Sequence, residues 1–273
     1  MKTYVITGTT SGIGNALVKA FADDNIVFAG YRNEDFVVSL KKISPNVIPF
    51  YIDMSKKSSV RQAAAYIKSK LPESGKIDTI INAAGCVAAG AVENIDVDDV
   101  RKQFEVNTFS HLDFTQRLLP ALEGKIINIS SMSSFGIFPF VAPYCASKRA
   151  LDILFNSLYI EKGIKVVSVK PGVTATALWE KSIDLNKKSI EKAKDGYSAA
   201  MEYMLANARK NRTGGLDVRK VADLILKIDA CENPKPSYTI GADAKFAEIL
   251  SKLPQEWINF IVKKGLQCKI NGK

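Results

Sequence analysis

Short runs of aliphatic and β-branched residues alternate with longer stretches of helical spacing along the first two-thirds of the chain. Residues 2–7, 26–31, 47–52, 77–82, 125–130 and 165–170 predict strands. Between them, residues 12–23, 35–42, 57–71, 98–119 and 143–161 have helical spacing or helix-forming composition. Such alternation implies right-handed crossovers and a parallel sheet covered on both faces. The predicted fold is a doubly wound α/β parallel sheet, a single domain over residues 1–273.

The pattern changes after residue 173. Residues 174–215 are lysine-rich and polar, lack strand signals, and carry scattered apolar positions: Leu178, Trp179, Ile183, Tyr197, Met201, Tyr203, Met204 and Leu205. An insertion beyond the carboxyl ends of the strands predicts a lid over a ligand. Residues 217–229 then read as a helix and 237–240 as a last strand. Residues 244–273 form a C-terminal tail, mostly amphipathic helix as far as 266.

Composition narrows the class. A chain of 273 residues can bury most of its apolar surface in one unit. No stretch approaches the ~18 uninterrupted apolar residues of a membrane span. The first eight residues run straight into a glycine turn, with no secretory leader, so a cytoplasmic location is expected. Cys86, Cys145, Cys231 and Cys268 are scattered, form no metal-like pairs, and fit reduced thiols there. No metal is expected. The net charge of +10 raises the question of a polyanionic partner. The basic residues are spread out, without aromatic interleaving or a groove-reading motif, so a solvated surface and no nucleic-acid partner are expected.

Thr7-Gly8-Thr9-Thr10-Ser11-Gly12-Ile13-Gly14 joins the first strand to the first helix. Glycines here permit a tight turn and close approach of a pyrophosphate, and the helix N-terminus offers free N–H groups to phosphate. Tyr144 and Lys148 stand four apart at the start of a predicted helix, on one face. A phenol ionises near ~10, and a fixed ammonium nearby favours the phenolate. Ser131 follows the strand ending at Ser130, where residues face the ligand crevice of such sheets; its hydroxyl can donate to a carbonyl oxygen.

With glycines at 8, 12 and 14, then Asn82-Ala83-Ala84-Gly85, Asn107, Ser130-Ser131, Tyr144-x-x-x-Lys148 and Pro171-Gly172 in order, the chain resembles the short-chain dehydrogenase/reductase family over residues 1 to about 175. Ala83 is a departure, since the family often has a second asparagine there. The resemblance implies a Rossmann-type sheet and hydride transfer with a nicotinamide dinucleotide. It implies that Tyr144 is the acid/base, that Ser131 stabilises the substrate oxygen, and that Lys148 binds the nicotinamide ribose. Asn107 would hold a water behind the lysine, a role compatible with its being a satisfied buried amide. Gly8, Thr10, Ser11, Gly12, Ile13 and Gly14 would cradle the cofactor. Asp53 would contact adenine, Asn82, Ala83 and Gly85 would line the adenosine side, and Pro171, Gly172, Val173 and Thr176 the carboxamide side. Sugar-nucleotide epimerases differ in glycine spacing, and enoyl reductases in tyrosine–lysine spacing.

The second strand ends Tyr31-Arg32-Asn33, with no carboxylate where an NAD enzyme usually places one. Arg32 offers a guanidinium to a 2′-phosphate, so NADP(H) is expected rather than NAD(H), with Glu34 and Asp35 further on. His111 reads as an ordinary helix residue, Cys145 as packing, and residues 187–194 as a solvated helix face. Residues 257–264 could touch a membrane surface or dock on the domain or a partner. The apolar lid suggests a lipophilic carbonyl or alcohol substrate. Residues 235–241 and Leu253-Pro254 look like the branch containing hydroxysteroid and retinol dehydrogenases. Phe104, Phe109, Phe114, Leu118, Leu119, Leu151, Leu154, Phe155, Leu158 and Tyr159 suggest two helices buried on more than one face, hence a homodimer. An NADP(H)-binding regulator without turnover is the competing reading.

Overall fold

The computed structural model describes residues 1–178 and 194–270. Its strands are β1 (Thr3–Ile6), β2 (Ile26–Tyr31), β3 (Val47–Tyr51), β4 (Ile77–Asn82), β5 (Leu122–Ile129), β6 (Lys165–Pro171) and β7 (Ser237–Ile240). They form one sheet in the order β3-β2-β1-β4-β5-β6-β7, and every neighbouring pair is parallel. The predicted doubly wound sheet is therefore present.

Successive residues of each strand point to opposite faces. Tyr4 and Ile6 enter one core and Val5 the other; Val27 and Ala29 enter the first and Phe28 the second. Both faces are covered, which is why the strands read as unbroken apolar runs. On the first face lie α1 (Gly12–Phe21), through Leu17, Val18 and Phe21, and the late helix Val218–Ala230, through Val221, Ile225 and Ile228. On the second lie Lys57–Lys70 and Ser110–Leu118, through Val60, Ile67, Phe114 and Leu118. The helix Ala142–Lys162 packs Leu151 and Phe155 on Ile126 and Val166. In chain order the helices are α1, α2 (Val37–Lys41), α3 (Lys57–Lys70), α4 (Val97–Phe104), α5 (Ser110–Leu118), α6 (Ala142–Lys162), α7 (Lys194–Gly214), α8 (Val218–Ala230), α9 (Ala242–Leu250) and α10 (Gln255–Ile270).

Four expectations change. The helix expected over 98–119 is α4 and α5 joined by a π turn, Glu105–Phe109, with buried Asn107 inside it. A π turn takes one extra residue per turn and often marks a functional position. The helix expected over 35–42 is a 3₁₀ turn, Glu34–Phe36, and the short α2. The tail is two helices, because Pro254 cannot continue the first. Part of the insertion without strand signals is α7, and its base is closed by a bridge between Thr174 and Leu216. Trp179, Ile183 and most of the 187–194 charge run lie outside the described residues.

Candidate active site

The sheet order reverses between β1 and β4, and a crevice of about 360 Å³ opens at the carboxyl ends of those strands. Its floor is the glycine turn. Gly8 has φ +70, and a Cβ there would lie 2.7 Å from the Ala84 Cα. A Cβ on Gly14 would strike the Gly8 carbonyl. These two contacts account for glycine at both ends of the turn. Ser11 precedes α1 without a side-chain cap, which leaves the first helical amides free of that competitor. The Thr7 hydroxyl accepts from the amides of Ala83 (3.0 Å) and Ala84 (3.2 Å), tying the end of β1 to the loop after β4.

Thr10, Ser11, Gly12, Ile13, Ala83 and Gly85 line the crevice with Gly8 and Gly14. Arg32 and Asp53 line its rim side, where Arg32 is exposed. Burial alone would raise the Asp53 carboxyl, yet it is held below its ordinary value by hydrogen bonds from Ser55 and the charges of Arg32 and Lys56. The Ser55 hydroxyl donates to Asp53 at 2.7 Å. Pro171, Gly172, Val173 and Thr176 form the opposite wall.

Asn82 departs from expectation. It is fully buried beneath the crevice, where its amide meets Thr115 at 3.3 Å and Asn128 at 2.8 Å. It is the last residue of β4, and its side chain bridges strand and helix instead of reaching ligand space. His111 is more than an ordinary helix residue. Its Nε2 lies 2.9 Å from the Ala84 carbonyl and its Nδ1 3.2 Å from Asn82 Oδ1. Both partners are acceptors, so the neutral ring, with its single N–H, donates to only one of them. Burial pushes the imidazole down to about 3.

Ser131, Tyr144 and Lys148 come together on the crevice wall. Ser131 caps a 3₁₀ turn just past β5, accepting from the Ser133 amide at 3.1 Å. Tyr144 and Lys148 occupy the first turns of α6 and are buried. Burial pushes the Tyr144 phenol up to about 12, against the pull of a hydrogen bond with Ser131. Burial also brings the Lys148 ammonium down to about 8, with Asp152 and Cys86 opposing. The Lys148 ammonium donates to the Ile129 carbonyl at 2.8 Å and sits 6.0 Å from the Tyr144 ring centre. In this state desolvation therefore outweighs any acidifying effect of Lys148 on the phenol.

Asn107 does not reach the crevice surface. Its Nδ2 donates to the Cys86 carbonyl (2.9 Å) and to Ser147 Oγ (3.0 Å), and its Oδ1 accepts from the Cys86 amide (2.9 Å). It pins the loop after Gly85 against α6 as a satisfied buried amide. Sequence reading missed several crevice residues, among them Cys86, Val87, Ser133 and Lys102. They lie on loops or exposed helix turns whose direction periodicity does not give.

An apolar cluster that includes Tyr144 reaches the crevice through Val87 and Leu178. Val87, Ala89, Val141 and Cys145 pack with Phe138, Leu178 and Met204. Ala200 and Met201 of α7 join Ala91 and Phe140. Phe140, the one non-glycine described residue with positive φ (66), accepts from the Gly90 amide at 2.8 Å just before α6. Among the described residues no helix is long and apolar enough to cross a membrane.

Residues 2–187 match the short chain dehydrogenase family. The chain is similar to the NADPH-dependent 3-dehydrocapnine reductase of Ornithobacterium rhinotracheale, 26% identical over 98% of each chain. It is also similar to the 3-ketodihydrosphingosine reductase of Bacteroides thetaiotaomicron, 29% identical over 95% of this chain and 96% of that one. A crystal structure of a short-chain dehydrogenase from Streptomyces avermitilis superposes with a TM-score of 0.75 at 23% identity, covering 98% of this chain and 96% of that one.

Proposed function

The chain belongs to the short-chain dehydrogenase/reductase family of oxidoreductases, and from that premise we propose that it reduces a carbonyl group of a lipophilic substrate with NADPH, or oxidises the matching alcohol. The observation that carries this reading is the meeting of Ser131, Tyr144 and Lys148 on the wall of a crevice floored by the glycine turn. The residues present suit a dinucleotide. The turn has no room for a Cβ at Gly8 or Gly14, which keeps it tight, and the start of α1 beside it favours negative charge. Arg32 is the partner for a 2′-phosphate, and one similar reductase is NADPH-dependent by name. When bound, the nicotinamide supplies or accepts the hydride.

The protein's part is proton transfer and orientation. Tyr144 stays protonated through the neutral range, so it can give its proton to the substrate oxygen. The Ser131 hydroxyl bonds to the same phenol and offers a donor to that oxygen as charge develops. Lys148, held by the Ile129 carbonyl, supplies a buried positive charge beside the phenolate left behind. Val87 and Leu178 give the crevice an apolar lining beside Tyr144, backed by Phe138, Val141 and Met204, which favours a lipophilic substrate. Residues 174–215 are proposed as its lid within a single domain, and the Thr174–Leu216 bridge closes the base of that segment.

Tyr144→Phe tests the reading. It is expected to abolish nearly all NADPH oxidation with a panel of ketones and retain cofactor affinity. Substantial residual turnover would overturn the acid role. Tight NADPH binding without turnover of any compound by the unaltered protein would favour a regulator.

A further inference from the structure

Residues 171–173, which run from the end of β6 into the loop after it and line the crevice, are held by three long-range ties. The Gly172 amide donates to the Ile240 carbonyl at 2.8 Å, and the Leu216 amide donates to the Val173 carbonyl at 2.8 Å. Both are backbone bonds, open to almost any sequence. The third depends on one side chain: the Val173 amide donates to Asp243 Oδ2 at 2.7 Å.

Asp243 stands in the first turn of α9, where a carboxylate suits the helix dipole. A residue serving only its helix would direct both oxygens to that helix. Here Oδ1 accepts from the Ala244 amide at 2.9 Å, while Oδ2 reaches a loop 70 residues earlier in the chain. Space is reserved for the carboxylate on both sides. All three nearest neighbours of a Cβ built on Gly172 are Asp243 carboxylate atoms, and the first would overlap it. A Cβ on Gly241, where φ is +110, would lie 2.6 Å from Oδ1. Two glycines thus flank one carboxylate, and that carboxylate fixes a turn lining the crevice.

We infer that Asp243 is a positioning residue for the cofactor: it sets the 171–173 turn, and so makes the C-terminal segment part of the dinucleotide site. The inference rests on the NADPH reading above. It accounts for residues around Gly241 that the catalytic groups leave unexplained.

The test measures NADPH affinity by titration, and kcat and cofactor KM, for the full chain and for Asp243→Ala, Asp243→Asn, Gly172→Ala and the double variant Gly172→Ala/Asp243→Ala. Loss of a charge-assisted bond that orders the wall should weaken NADPH by about tenfold and raise cofactor KM more than it lowers kcat. Asn, which can accept from only one of the two amides, should fall between wild type and Ala. Gly172→Ala should be strongly impaired alone, and the double variant no worse than Asp243→Ala, because the clash partner is gone. A residue that merely anchored the tail would lower the melting temperature and leave cofactor KM unchanged; that result, or additive losses in the double variant, overturns the inference. Should Asp243→Ala not fold, Asp243→Asn and Gly172→Ala decide by the same criterion. A wild-type chain that binds no NADPH overturns the functional reading itself, a different outcome from bound NADPH that is indifferent to Asp243.

Discussion

The Lys148 ammonium donates to the carbonyl of Ile129 at 2.8 Å, so the charge of α6 is fastened to the carboxyl end of β5. The groups facing that charge are Asp152 from one turn along α6 and Cys86 from the loop after β4, and neither offsets the burial that brings the ammonium down to about 8. The charged form is therefore present below that value and lost as pH rises through it. For carbonyl reduction, kcat/KM, which reports the free enzyme, should fall with an alkaline limb near 8. Lys148→Arg should move the limb upward, because a guanidinium does not titrate there. A profile flat to pH 10 would show that the ammonium is not needed.

His111 gives an acid limb to stability. Its imidazole is about 3 in the folded chain, against an ordinary ~6.5 when unfolded, because burial disfavours the cation. Below ~6.5 the unfolded chain binds a proton that the folded chain refuses. Stability should be lost as pH falls from ~6.5 toward 3, by up to about 1.4 kcal/mol per pH unit. His111→Gln should be less stable than wild type at pH 7.5 and show a flatter decline down to pH 4.5. Denaturant unfolding across that range checks it, and identical slopes for the two proteins would refute it.

Arg32 lines the crevice rim close enough for its charge to lower the Asp53 carboxyl. If it holds a 2′-phosphate, Arg32→Asp should raise the KM for NADPH by about tenfold or more, since it removes a charge-assisted partner and adds repulsion. NADH should suffer far less. A wild type that already prefers NADH under matched conditions would sink the assignment.

The α5–α6 side bears on assembly. Phe114, Leu118, Leu151 and Phe155, expected to contribute to pairing, are fully buried in the chain's own core. Phe109, Leu154 and Tyr159 remain exposed, and Ile153 and Ile160 beside them are 56% and 81% exposed. We expect this smaller apolar strip to pair two copies across a two-fold axis. Light scattering at micromolar concentration should give twice the 29.9 kDa chain mass. Ile153→Asp/Ile160→Asp should give the single chain, and a wild-type monomer would exclude the stable dimer.

What the sequence determined by itself is what local chemistry and period impose. Unbroken apolar strand runs dictate burial on two faces, hence the parallel sheet, and the glycine-rich run between the first strand and the first helix marks a tight turn open to a pyrophosphate. The four-residue spacing of Tyr144 and Lys148 puts them on one helix face wherever that helix lies. Tertiary structure alone decided what depends on partners distant in the chain. Nothing local to Asn82 says that it turns toward Asn128 and away from the crevice, or that Asn107 sits in a π turn clasping Cys86. Nor does spacing foretell that burial, a property of the whole packed fold, raises the phenol and lowers the ammonium of neighbouring residues. Asp243 is the plainest case: its role exists only because β6 and β7 lie side by side, bringing residue 243 to residue 173.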